Sequence, residues 1–178
     1  MATMNCKSYF RKAGCGLPRL CRAGYSAGAP QDGRMSNSLY DRDFYAWANE
    51  QAALLRAGHL DSADIEHIAE EIESMGRCEK RELVNRLAVL LMHRLKWRYQ
   101  PAFRSASWRS AIDEQRYRLE SHLEDNPSLK SKLDQAMRDG YRLARLEAER
   151  ETGLALETFP VGCPFGFDEA VRGDFWPD

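Results

Sequence analysis

The stretch from Asp64 to Gly76, DIEHIAEEIESMG, holds the densest set of groups in this 178-residue chain that could do chemistry. Asp64, His67 and Glu71 stand at i, i+3 and i+7, one face of a helix. A histidine and two carboxylates so spaced can grip a metal ion or relay a proton. Cys78 lies farther along the same face. Turning about 100° per residue sets that face opposite Ile65, Ile68, Ile72 and Met75, so the donors face water with nothing behind them to orient them. A di-iron bundle needs Glu-x-x-His on two helices, and that motif occurs nowhere in the chain. His93 would stand about 35 Å from Glu70 on a continuous helix. The residues therefore read as solvent-facing pairs, with no metal and no cofactor expected.

The remaining acids have a bland use. Glu66, Glu70 and Glu73 fall about 80° to 140° from Ile65, along one border of the isoleucine stripe. On the next long helix Arg109 and Arg116 border the apolar arc around Trp108. Borders of opposite sign predict rim ion pairs between neighbouring helices, each worth about 0–1 kcal/mol and useful for fixing register.

Two carboxylates are harder to place on a rim. Glu147 and Glu151 fall inside the apolar arc of the last helix, and His122 falls on the apolar arc before it. Either the bundle frays there and the acids reach solvent, or they form a polar pocket at that end. No nucleophile elbow, phosphate-binding loop or dinucleotide glycine pattern occurs. Cys163, in GCPFG, has no nearby base to activate it. No catalytic residue is assigned, and an enzyme built on Glu147, Glu151 and His122 stands only as an alternative.

Residues 93–118 mix Arg94, Lys96, Arg98 and Arg104 with Trp97, Tyr99, Phe103 and Trp108, and carry a net charge of +5. Arginine beside aromatics suits single-stranded nucleic acid. Trp97 and Trp108, however, sit on faces predicted to be core, and residues 61–82, with eight acids and three bases, can answer the charge internally. Nucleic-acid binding is the weaker reading.

The elements that must position these groups are helices. From Ser38 to Gly153 the apolar period is helical and no strand alternation appears. The first segment, about 41–57, carries Phe44, Trp47, Gln51 and Leu54 on one face and ends at Gly58, in the place of a left-handed C′ residue. The second, about 62–97, passes Gly76 without a break and turns apolar over most of its circumference in LVNRLAVLLMHRL, as a central helix should. Gln100-Pro101 ends it. Ser-x-Ser at 105–107 starts the third, Asn-Pro at 126–127 separates the fourth, and Thr-Gly at 152–153 closes that one. Short links favour antiparallel neighbours, hence an all-α, up-down four-helix bundle. Residues 154–178 hold three prolines, three glycines and five bulky aromatics. They predict an ordered tail packed on the bundle, with one helical turn near 168–171.

Composition narrows the class. A net charge of −1 points to neither nucleic acid nor membrane, and no apolar run approaches the roughly 18–20 residues of a span. Residues 1–34 differ from the rest: six bases against Asp32, a net of +5, with no core-forming period. They read as a disordered extension ahead of Met35, the expected true start, with a single helical-bundle domain over 38–178. Three of the five cysteines, Cys6, Cys15 and Cys21, lie there without zinc-site spacing. The unpaired Cys78 and Cys163 fit a reducing cytoplasm.

The blocks LYDRDFYAWANEQAALLRAG, DIEHIAEEIESMG, LLMHRLKWRYQP, RETGL and FP-x-x-CPF…DFWP, between Leu39 and Pro177, resemble the bacterial domain-of-unknown-function family twenty-nine. The resemblance implies an all-helical bundle and brings no assigned activity or site residue. With no reaction motif in view, the expectation is a soluble, non-enzymatic interaction module. Its aromatic tail or bundle end would meet a protein partner, and its oligomeric state is open.

Overall fold

A computed structural model describes residues 38–177 and divides the chain into two units, Met1–Ala46 and Trp47–Asp178. Residues 1–37, with the extension and the start at Met35 expected there, lie outside the described part.

Of the first unit, 38–46 are described. Helix α1, Leu39–Arg42, is capped by Ser38, whose Oγ accepts from the Asp41 amide. Asp43 leaves helical geometry (φ −145°, ψ 81°) and turns its carboxylate to the Ala46 amide, 3.0 Å away. The single first helix expected from sequence is thus split by an aspartate that caps a new one. That new helix, α2, Phe44–Ala57, crosses the boundary between the units.

In the second unit, α2 ends at Gly58, which adopts φ +76° as its position required. A 3-10 turn, Leu60–Ser62, leads to Asp64, the N-cap of α3. Ser62, where the sequence pattern starts this helix, ends the 3-10 turn instead, two residues before the cap. Helix α3, Ile65–Tyr99, runs 35 residues unbroken through Gly76, about 50 Å at 1.5 Å per residue. Helix α4, Ala106–Asp125, starts at Ser105, whose Oγ accepts from the Trp108 amide. A 3-10 stretch, Pro127–Lys132, takes the first turn expected of the last long helix. Helix α5, Leu133–Thr152, ends at Gly153 with φ +69°. A short helix α6, Phe167–Val171, lies within the tail.

Pair contacts set the directions. His122 meets the Glu79 carbonyl and Arg109 meets Trp97, so α4 runs antiparallel to α3. Gly140 faces Val84 to Ala88 and Glu151 faces Lys96, so α5 runs parallel to α3. Gly140 lets α5 come close: a Cβ there would stand 3.0 Å from the Leu87 Cβ and 3.1 Å from the Val84 carbonyl.

The core is built from Leu83, Leu87, Leu90, Leu91 and Leu95 of α3, Ile112 and Leu119 of α4, and Ala136, Tyr141 and Ala144 of α5. Phe159, Phe165 and Ala170 of the tail complete it. It begins at Leu83 and takes nothing from α2, so three helices and the tail share the interior rather than four helices. Within α2 only Trp47 and Gln51 are buried, and both are turned to the start of α3. No helix among the described residues is long and apolar enough to cross a membrane.

Candidate interaction surface

Helices α4 and α5 have 20 residues each, against 35 in α3. Because His122, near the end of α4, stands level with Glu79, residues 65–78 of α3 run on past the bundle. Their apolar side is in solvent: Ile65 is 51%, Ile72 64% and Met75 54% exposed. Ala69 and Gly76 are exposed beside them, and a Cβ at Gly76 would meet nothing within 4 Å. The stripe is therefore a largely exposed ridge of Ile65, Ile72 and Met75, with Ile68 half-buried, next to two small residues.

The opposite face of the same segment is tied down. The Asp64 carboxylate accepts from the His67 amide, from the Trp47 indole at 3.3 Å, and meets His67 Nδ1 at 2.7 Å. The Gln51 amide oxygen accepts from the Asp64 amide at 2.8 Å, and the Trp47 and His67 rings meet edge-on. Burial raises the affinity of Asp64 for a proton, but the donors from His67 and Trp47 outweigh it and hold the carboxyl below its usual range. Asp64 and His67 thus form an N-cap and a helix-to-helix clasp. Among the described residues no group of three His, Cys, Asp or Glu could hold a metal ion.

The expected rim pairs do not meet. Arg116 bonds Asp113 at 2.6 Å, donates to the Phe175 carbonyl at 3.0 Å and stacks on Trp176. Arg94 stacks on that same Trp176, and on α3 it lies about 30 Å from Glu73. Arg109 stacks on Trp176 and Trp97 at the same end. Periodicity gives an angle about each axis but no height, and α4 starts at the far end of α3 with Arg116 buried. Glu73 pairs with Arg77 of its own helix at 3.3 Å, while Glu66 and Glu70 have no ion-pair partner among the described residues.

The four bases considered for nucleic acid divide. Arg94 is fully buried and donates to the Ala170 carbonyl at 2.8 Å and to the Phe175 carbonyl, with Phe175 and Trp176 against its plane. Burial, and then the neighbouring Arg116, push its pKa down to about 10. Lys96 is buried, bonded to Glu151 at 2.6 Å and set over the Trp108 ring. Arg98 and Arg104 remain exposed, and Arg104 donates to the Trp97 carbonyl. The basic-aromatic stretch is chiefly the seat of the C-terminal tail. The wheel holds a signal for this: Arg94 falls about 20° from Ile65, in line with Leu83, where a guanidinium must be buried and partnered.

Nor do Glu147, Glu151 and His122 form one pocket. Glu151 belongs to Lys96, while buried His122 bonds the Glu79 carbonyl about 25 Å along α3. Glu147 is half-buried between these levels. A cleft of about 330 Å³ between α4 and α6 is lined by Arg116 and Lys130 against Glu120 and Glu124, with Leu123 and Phe167. Its charges balance, and it contains none of the three residues.

The model of a family described as "Domain of unknown function DUF29" matches residues 39–176, a span that takes in the six α-helices of the described residues. No curated protein and no solved structure matches the chain. On the length and continuity of that match, the chain belongs to the DUF29 family.

Proposed function

We propose that this protein is a non-enzymatic protein-interaction module whose working surface is the side of α3 from Ile65 to Met75. One observation carries the reading: three large apolar side chains on one helix face, each more than half exposed, beyond the end of a bundle that buries the same face lower down. A contiguous apolar ridge in solvent carries a cost that an interface removes. Nucleic-acid binding through 93–118 is weaker, because Arg94 and Lys96 are already spent inside. A pocket enzyme is weaker too, because Glu151 and His122 stand apart.

The test is site-specific photo-crosslinking in cells, with the reactive residue at Ile72 or, as control, at Tyr117, which is as exposed but lies on α4. An adduct of defined mass is expected at 72 and not at 117. It should be displaced by excess purified chain but not by the same chain carrying Ile65→Glu and Ile72→Glu. Equal adducts at both positions would overturn the proposal.

A further inference from the structure

The geometry points to one kind of occupant for this ridge: an amphipathic helix of a partner protein, its apolar seam flanked by lysine or arginine. The inference rests on the interaction-surface reading and adds the chemistry of the partner.

Shape comes first. Leu83 lies 18 residues, five full turns, beyond Ile65, so the ridge continues the face that α3 turns to its own core. Whatever covers the ridge prolongs the bundle, and the neighbours that α3 has toward that end, α4 and α5, are helices. Ile65, Ile68, Ile72 and Met75 are spaced 3, 4 and 3, the repeat a helix seam matches. Ala69 and Gly76 make a trough beside it. A glycine already serves this purpose where Gly140 seats α5 on α3, and the corresponding space at Gly76 is empty. The ridge is about 15 Å long, three turns of a partner.

Charge then selects among helices. Glu66 and Glu73 stand about 80° to 100° from Ile65, past the trough, and Glu70 follows. Only Arg77 answers them among the described residues, through Glu73. A partner helix in the trough brings its own flanks against these carboxylates, so bases attract and acids repel. A second copy of this chain would set glutamate against glutamate and is disfavoured by the same rule.

The experiment uses the full chain and two synthetic helices of roughly 18 residues with an identical leucine seam, one flanked by lysine and one by glutamate. A scrambled lysine peptide serves as control. Binding is read by fluorescence anisotropy, alongside sedimentation of the chain alone. The lysine-flanked helix should bind at least about tenfold tighter than the other two, and weaken as salt is added. The variant with Glu66→Gln, Glu70→Gln and Glu73→Gln should lose about tenfold, and Ile72→Glu should abolish binding.

Equal binding of the lysine- and glutamate-flanked helices, with Ile72→Glu still inactive, sinks the basic partner and leaves the interaction surface standing. A scrambled peptide binding as well as the ordered one also sinks it. A chain that binds no peptide but sediments as a dimer, and becomes a monomer on Ile72→Glu, replaces the partner with a second copy. A monomer that binds nothing, or binding indifferent to Ile72→Glu, overturns both readings. Ile65→Glu repeats the ridge test at an independent position.

Discussion

The two ends of α3 follow one apolar period and meet opposite fates. Ile72 and Leu90 are 18 residues apart and point the same way from the axis, yet Ile72 is 64% exposed and Leu90 is fully buried. The stripe they share does not separate them, although the circumference around Leu90 is the more apolar. The lengths of the neighbours do: two 20-residue helices cannot line a helix of 35. A period tells which face of a helix is apolar; only the partner's reach tells whether that face is covered.

The largest effect that tests this contrast is cavity formation. Leu90→Ala removes a side chain packed on all sides and should cost about 3 kcal/mol in urea unfolding. Ile72→Ala, with the same kind of truncation, should move stability by less than about 0.5 kcal/mol. If Ile72→Ala costs as much as Leu90→Ala, the upper face is covered in solution and the contrast is false.

The second effect sharpens what the buried end is for. Arg94 holds the tail by its backbone carbonyls at Ala170 and Phe175, so Arg94→Met takes its donor from the Ala170 carbonyl and leaves the Phe175 carbonyl to Arg116 alone. The expected cost is about 2–3 kcal/mol, with a red shift in tryptophan fluorescence as Trp176 leaves its place against Trp97. Arg94→Lys should recover little of it, since one ammonium cannot reproduce the planar fork. An Arg94→Met protein with unchanged fluorescence would show the tail to be held by its aromatics alone.

How much of this was legible beforehand follows the same division. Caps and stops lie in single residues and their neighbours, so Gly58, Ser105 and Gly153 could be placed from sequence and the structure puts a helix end at each. The unbroken passage through Gly76 was legible too, because the apolar period keeps phase across it. Missed were the features that need two elements at a known height. Their angle about the axis sets Glu66, Glu70 and Glu73 opposite Arg109 and Arg116, but no angle contains the axial offset of roughly 30 to 40 Å. Arg94 belongs to a run of bases interleaved with aromatics that suits nucleic acid, though its own angle places it inside. The clasp of Trp47 and Gln51 on Asp64 depends on a six-residue link whose path no period describes.

A pair of glycines gives a smaller and cleaner comparison. Gly140→Ala presses a methyl group against the Val84 carbonyl at 3.1 Å and the Ala88 amide at 3.3 Å, backbone atoms that cannot step aside alone. The cost should be about 1–2 kcal/mol despite the better helix propensity of alanine. Gly76→Ala meets nothing and should stabilise the protein by about 0.5–1 kcal/mol. A destabilising Gly76→Ala would reveal a close neighbour at the upper end.

The smallest expected effect separates the two ends by acid. His93 is half-buried with its Nδ1 unpartnered, near Lys96 and Glu151. Burial first, and Lys96 second, lower its pKa below 6.5, with Glu151 partly opposing. A folded pKa below the unfolded one means that the unfolded chain binds the proton more readily. The stabilisation is therefore complete above 6.5 and is lost as pH falls through the folded value. Asp64, at the other end, has its carboxyl held below 3.8, so its contribution persists until the pH falls under that value. Melting followed from about pH 7 to about pH 5 should thus show a decline that His93→Gln flattens and Asp64→Asn leaves in place. If His93→Gln leaves the slope unchanged, the histidine is solvated in solution, and the packing around Lys96 and Glu151 is looser than that of the leucines one turn away.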